Sequence, residues 1–402
     1  KELATSTIKI TGFGEDPEGE LLIFDHAAEG TGGFYTLEPT PKAVGENKFP
    51  KKLSDSGLFE NISKHVMKAG IVPYSVNSPF WSDGLYKERY VAIPGEETIE
   101  YKRTRGWNFP NQTVIVKSFA IEKIAGDVTT RQWIETRFMT KQDGEWYGYT
   151  YNWNDEGTDA TLVSSAGLDR EFTVKDGDKE RKQVWHYPSR SECMICHSRA
   201  ANFVLGLCSM QMNKEHAYAS GSANQLVALQ QSGYMKWDLS GELRHHLSER
   251  GKEQGLKDAK LEEFIREHLP QANQRALNET AAAEAMPKLV NPEDAKQDIA
   301  LRAKSWLHTN CASCHIEAGG GNAQMELEFN TKLDKMRLLD VKPLHFNFEI
   351  PEAKLLSPGK PDQSVLLKRM AIRGQHQMPP IGTNRTDELG VKLIQDWIRS
   401  LK

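Results

Sequence analysis

Two short segments of this chain hold residues that can do chemistry together, Cys311-Ala-Ser-Cys314-His315 and Cys193-Met-Ile-Cys196-His197. Cysteines at i and i+3 with histidine at i+4 form the c-type haem attachment pattern. One short helical turn can bring both sulfurs under the two vinyl-derived carbons of a porphyrin and aim the adjacent imidazole at the iron. A chain of 402 residues with 5 Cys and 12 His would hold roughly 0.002 such segments by chance. Finding two predicts two covalently attached haem c groups, one on Cys193 and Cys196 with His197 as proximal ligand, the other on Cys311 and Cys314 with His315. The competing readings are a zinc site and a redox dithiol. A four-cysteine zinc site keeps its CxxC steps about 15 to 20 residues apart, whereas these lie more than a hundred apart. A thioredoxin-like dithiol needs a surrounding βαβ pattern and has no use for the histidine that follows.

Each iron has a second axial position. Gln377-Met378-Pro379-Pro380 places a thioether on a stiff extended segment, so Met378 is expected to face the second iron; His376 and His345 are the alternatives. For the first iron the candidates are Met210 and Met212 downstream and His186 and His216 flanking the motif, with a five-coordinate iron as the remaining option. Cys208, beside Val204, Leu205 and Leu207, reads as a small buried hydrophobe.

The rest of the chain must position these groups. Its length allows two or three domains. A net charge of −4, without a basic block, argues against a nucleic-acid partner, and no apolar stretch is long enough for a transmembrane span. Starting at Lys1 without an initiator methionine, the sequence reads as processed or cut from something longer. Haem c is attached outside the cytoplasm, so the motifs point to a periplasmic or extracellular location.

Residues 1–45 read as a β-meander, with strands at 7–12, 21–25 and 33–37 separated by Asp16-Pro-Glu-Gly19 and Gly30-Thr-Gly-Gly33. A polar connector, 39–50, leads into a β-rich domain (46–240). Its clearest unit is the hairpin 133–141 and 145–153 around Asp143-Gly144, a type I′ signal. Tyr147, Tyr149, Tyr151 and Trp153 share one face, either sandwich core or haem wall. Strands at 113–120, 170–175 and 182–187, the last two joined at Asp176-Gly177, complete an antiparallel sandwich. After Pro188, Ser191 is expected to cap the turn bearing Cys193. A helical linker (241–290) follows a helix at 224–233 and includes Leu261, Phe264, Ile265 and Leu269 on one helix face. The last segment, 291–402, reads as helical. A helix starting at Asn291-Pro292 leads into Cys311, and a final helix capped by Thr386 buries Leu393, Ile394, Trp397, Ile398 and Leu401. The expected fold class is α+β and multidomain, an antiparallel β-sandwich-like domain carrying one haem c followed by an all-α domain carrying the second.

The phrases Val72-Pro-Tyr-Ser-Val-Asn-Ser-Pro-Phe-Trp-Ser-Asp-Gly84, Gly148-Tyr-Thr-Tyr-Asn-Trp-Asn154, Pro188-Ser-Arg-Ser-Glu-Cys193, Pro358-Gly-Lys-Pro361 and Met378-Pro-Pro-Ile-Gly-Thr-Asn384 resemble a poorly characterised family of di-haem c-type cytochrome proteins. Some members are fused to PQQ-dependent sugar dehydrogenase propellers, and residues 12–25 resemble the last blade of such a propeller. The segment from 291 resembles small monohaem cytochrome c, in which the first and last helices cross and a Met-Pro pair before the last helix supplies the distal ligand. Electron transfer is the expected function, with a PQQ-type dehydrogenase as the natural donor and an external acceptor. No nucleophile, triad or phosphate loop points to another chemistry. Two alternatives stand beside it: a di-haem peroxidase or other haem enzyme with an open first iron, and an extracellular conductive assembly in which haems stack between copies.

Overall fold

The computed structural model describes residues 10–25, 32–38, 49–269 and 275–401, with 275–278 described by backbone alone. The expected connector therefore lies almost wholly outside the described residues. So do 7–9 of the first expected strand, Gly30 and Thr31 of the second expected turn, and 270–274 of the linker.

β1 (Ile10–Glu15), β2 (Leu21–Asp25) and β3 (Phe34–Thr36) form a separate antiparallel sheet. β1 continues past its expected end because Asp16, whose Oδ1 accepts from the Glu18 and Glu20 amides, makes the turn. The sheet does not bury itself, leaving Phe13 62% and Phe34 79% exposed.

β4 (Phe59–Asn61) pairs with β5 (Val66–Met67), and the main sheet is a six-stranded antiparallel meander. It contains β6 (Val72–Pro73), β7 (Tyr86–Ala92), β8 (Val114–Glu122), β9 (Arg131–Gln142), β10 (Glu145–Trp153) and β11 (Ala160–Leu162), each beside the next. Asp143 and Gly144 have φ of 51° and 87° between paired Gln142 and Glu145. That is the doubly left-handed backbone of a type I′ turn. The second layer is narrower than a full sandwich: the hairpin β12 (Leu168–Asp176) and β13 (Lys179–Tyr187) packs Val174, Trp185 and Tyr187 on Phe119, Ile121 and Ile134. Its two-residue loop is Gly177-Asp178, one position later than expected, because Asp176 pairs with Lys179.

Residues alternate between the faces of the main sheet. Val116, Phe138, Tyr151 and Trp153 enter one core with Leu53 and Phe59. Ile115, Lys117, Arg137 and Met139 face the other way, onto a cavity. The tyrosine stripe divides by position. Tyr147 is exposed, Tyr149 stacks on Phe49 with 4.0 Å between centroids and lines the cavity, and Tyr151 and Trp153 are core.

Helices follow the hairpin. α1 (Arg190–Cys196), α2 (Ser209–Met212) and the small hairpin β14 (Glu215–Tyr218) and β15 (Gly221–Asn224) lead to α3 (Gln225–Gln231), capped by Asn224 as its sequence predicts. α4 (Leu239–Glu253), α5 (Asp258–His268) and α6 (Arg275–Ala285) share a cluster that includes Leu243, Leu247 and Ile265. α7 (Ile299–Cys311), α8 (Val365–Ala371) and α9 (Glu388–Ser400) bury Trp306, Leu307, Leu393, Ile394, Trp397 and Ile398 together. The fold is α+β, with antiparallel sheets and a helical C-terminal segment.

Three caps differ from expectation, because in each case another acceptor stands at the position just before the helix. Asp298, not Asn291, opens α7, accepting from the Ala300 and Leu301 amides. Asp387, not Thr386, opens α9; its Oδ1 takes the Gly390 amide and its Oδ2 the Trp306 indole N–H at 2.7 Å. Ser189, not Ser191, opens α1.

Candidate functional site

Pro188 ends β13, and Ser189 starts α1 with a capping box: its Oγ accepts from the Glu192 amide at 3.2 Å and Glu192 Oε2 accepts from the Ser189 amide at 2.8 Å. The box fixes the turn that presents Cys193 and Cys196, with His197 as C-cap. α1 lies directly on β10 because residue 148 is glycine. A Cβ there would sit 2.8 Å from Cys193 Cβ and 2.9 Å from its Sγ. Gly148→Ala should push α1 off the sheet, costing about 1–3 kcal/mol. Denaturant midpoints of the two proteins check this, and an unchanged midpoint would show that α1 is not held at this contact.

His186 braces the same turn, its Nε2 donating to Glu192 at 2.9 Å and its Nδ1 to Asp169 at 2.6 Å. Burial opposes the charge on this ring, but the bonds to Glu192 and Asp169 outweigh it and raise its pKa. The resulting stabilisation is complete below the ordinary histidine value and is lost as pH rises through the raised one. Wild type should therefore lose a small, solvent-screened increment as pH rises through that raised value, which His186→Gln does not, as paired thermal melts across pH will show.

The two motif histidines have matching environments. His197 Nδ1–H donates to the Phe203 carbonyl at 2.6 Å and His315 Nδ1–H to the Ala323 carbonyl at 3.1 Å. Each bond fixes the tautomer and leaves the Nε2 lone pair free, the arrangement of metal-binding histidines. Burial pushes His197 down to about 4, aided by Lys117, and burial also lowers His315, so both rings are neutral at pH 7. Gly321 packs against His315, where a Cβ would come within 2.6 Å of Nδ1. On donor chemistry, these residues fit an iron porphyrin. None of the cysteines is in a disulfide. Among the described residues no three Cys, His, Asp or Glu side chains gather as ligands of a bare metal ion.

The motifs meet, although more than a hundred residues separate them. The Cys196 and Cys314 thiols interact directly, which raises the former and lowers the latter. Cys314 Sγ also lies 3.9 Å from the Ile195 carbonyl. The segment 78–84 holds this junction. Ser78 Oγ donates to the Ser305 carbonyl at 3.1 Å, and the Trp81 amide donates to Asn310 Oδ1 at 2.8 Å. Buried Asp83 accepts from Thr383 Oγ1 at 2.6 Å, the Asn384 amide at 2.9 Å and the Arg385 amide at 2.9 Å.

Beside the first motif is a cavity of about 1710 Å³, mouth included, lined by Cys193, Cys196 and His197, by the sheet, and by His308 and Ser313 from the second motif's side. None of the four candidates for the first distal ligand presents a free donor here. Met212 is buried in the core with Trp107 and Leu226. Neither Met210 nor His216 lines the cavity; His216 Nδ1 is engaged by Ser75 at 3.1 Å. His186 does line it, but both its nitrogens are committed to carboxylates. His308 also faces the space, yet its Nδ1 accepts from the Phe329 amide at 3.2 Å, so the neutral ring carries its proton on Nε2 and offers no lone pair. Cys208 is buried as expected, which raises its thiol to about 11.

Of the residues expected at the second iron, Met378 is half-buried and its amide donates to the Arg369 carbonyl at 2.9 Å. Arg369 in turn binds the His376 and Phe346 carbonyls. His345 is exposed, and His376 stacks on Phe346 at 4.5 Å. Comparison with known proteins adds nothing to this geometry: no family model, curated protein or solved structure matches the chain.

Cys193 and Cys196 lie on α1 with His197 as its C-cap, and Cys311 ends α7. Asp83, Gly148 and the basic residues of the cavity were missed. A lysine inside Val114-Ile-Val-Lys-Ser-Phe-Ala120 breaks an otherwise apolar strand and was the available signal.

Proposed function

We propose that this chain is a di-haem c-type cytochrome that transfers electrons. The reading is carried by the paired geometry of His197 and His315, each fixed by a backbone carbonyl with Nε2 left open. Cys193 and Cys196 would hold one haem and Cys311 and Cys314 the other, with Met378 as the second iron's distal ligand. The groups would supply one-electron exchange. The chain's part is to keep both imidazoles neutral and oriented, to exclude water from the shared interior, and to bring the motifs together at Cys196 and Cys314. The segment from 291 would be a cytochrome c domain, and 46–240 the domain carrying the first haem.

The proposed donor is a PQQ-type dehydrogenase module, attached or docked, in a periplasmic or extracellular setting. The exposed Phe13 and Phe34 of the β1–β3 sheet support a neighbour on that side. Among the described residues no helix is long and apolar enough to cross a membrane. Mass analysis should find two covalent porphyrins, and reductive titration two redox centres. A purified chain with fewer than two haems would refute the reading.

One observation favours a second reading, a peroxidase or other haem enzyme with an open first iron. None of the four predicted distal ligands offers a free donor to the cavity. A ferric high-spin signal that changes on adding cyanide or peroxide would select this reading; two six-coordinate irons in both oxidation states would eliminate it.

A further inference from the structure

The cavity floor carries a charge imbalance. Arg89 on β7, Lys117 on β8 and Arg137 on β9 are direct cross-strand partners, Arg89 with Lys117 and Lys117 with Arg137, and all three line the cavity. Like charges in direct opposition destabilise a sheet, and burying an unpaired charge costs several kcal/mol. Arg137 is compensated. Its Nε and one terminal nitrogen reach both oxygens of buried Glu135, at 2.6 and 2.9 Å, and Trp185 Nε1 holds that carboxylate at 2.8 Å. Arg89 and Lys117 have no hydrogen-bond or ion-pair partner among the described residues. Lys87, two residues before Arg89, donates instead to the Phe80 carbonyl and at 3.4 Å to Ser82. The other carboxylates of the lining are engaged elsewhere, Glu192 with His186 and Glu328 with Arg105, and burial beside Arg89 and Arg137 lowers Lys117 to about 7, Glu135 opposing the shift without bonding to it.

The row also has a direction. Cys193 packs against Gly148 of β10, and the sheet order β10, β9, β8, β7 sets the row Arg137, Lys117, Arg89 successively farther from that strand. It therefore runs away from the sulfurs, and two strand spacings carry it about 10 Å, roughly the breadth of a porphyrin. Thioethers at one edge of such a ring leave its two carboxylate arms toward the other.

We propose that Arg89 and Lys117 form a two-carboxylate site, filled by the propionate arms of the haem attached at Cys193 and Cys196. The site rests on the di-haem reading for its occupant, but not for its chemistry. Arg89 supplies a planar fork suited to a carboxylate, and Lys117 a point charge beside it.

The test uses the haem-loaded protein with Arg89→Gln, Lys117→Met and Arg89→Lys. The first two should shift the propionate-bending bands in resonance Raman spectra and lower one midpoint potential, because losing a nearby cation favours ferric iron. Arg89→Lys should restore most of the wild-type potential, which a purely steric role would not. In a second arm, acetate and succinate are titrated into wild type and into Lys117→Met. Propionate occupancy predicts no binding to either. Binding to wild type that Lys117→Met abolishes, with propionate bands unchanged, would support the carboxylate chemistry and assign it to a free ligand. Propionate bands and carboxylate binding both indifferent to Arg89 and Lys117 would overturn the proposal. Loss of the proposal with two haems still present leaves the di-haem reading intact. Absence of haem sinks that reading, while the carboxylate titration still tests the pair.

Discussion

Replacing Cys193 and Cys196 together with alanine should remove one covalently held haem and leave the other, so that the mass of the purified chain falls by one porphyrin. The expected loss is complete because a thioether cannot form without its sulfur, and His197 alone would hold the group only by coordination. The same change at Cys311 and Cys314 should remove the other haem and with it the centre proposed to carry Met378. Cys208→Ala is the control. That buried thiol caps no motif, and its removal should leave both groups in place. If the Cys193/Cys196 double variant has the same covalent mass increment as wild type, the attachment assignment is wrong. A zinc or dithiol protein would show no porphyrin in any variant.

Substituting Asp83 should have the largest effect on stability. Its carboxylate is 2% exposed and receives two backbone amides and a hydroxyl from 383–385. Asp83→Ala strands those donors in a dry junction, at a cost of about 3–5 kcal/mol. Asp83→Asn, which keeps the shape and one acceptor oxygen, should cost less. Beyond the shift in unfolding midpoint, Asp83→Ala should loosen the contact between the motifs and slow electron exchange between the two centres, with haem content unchanged. Rapid-reaction reduction by a one-electron donor reads that directly. Equal unfolding midpoints for Asp83→Ala and wild type would mean that Asp83 does not hold the junction.

Local features of the fold were legible because they are encoded within a few residues. The Asp143-Gly144 turn could be read from two residues that accept positive φ, and the register of β9 and β10 followed from it. Caps were read less well. Asn291, Thr386 and Ser191 are good acceptors, but Asp298, Asp387 and Ser189 are the residues that stand immediately before α7, α9 and α1, and only geometry decides between such neighbours. The two Cys-x-x-Cys-His segments were legible for the same local reason. What surrounds them was not, since the bond from Thr383 to Asp83 joins residues 300 apart in sequence. The row Arg89, Lys117 and Arg137 becomes a row only once strand order and register are known. The four distal candidates were chosen by nearness in sequence to Cys193, and sequence nearness carries no information about which face of a sheet or core a side chain enters.

The junction where Asp83 receives 383–385 also brings the segment bearing Cys196 beside the one bearing Cys314. On the di-haem reading this places both attachment turns at one seam, so an electron entering at either haem would pass to the other inside a single chain, without a docking step between molecules.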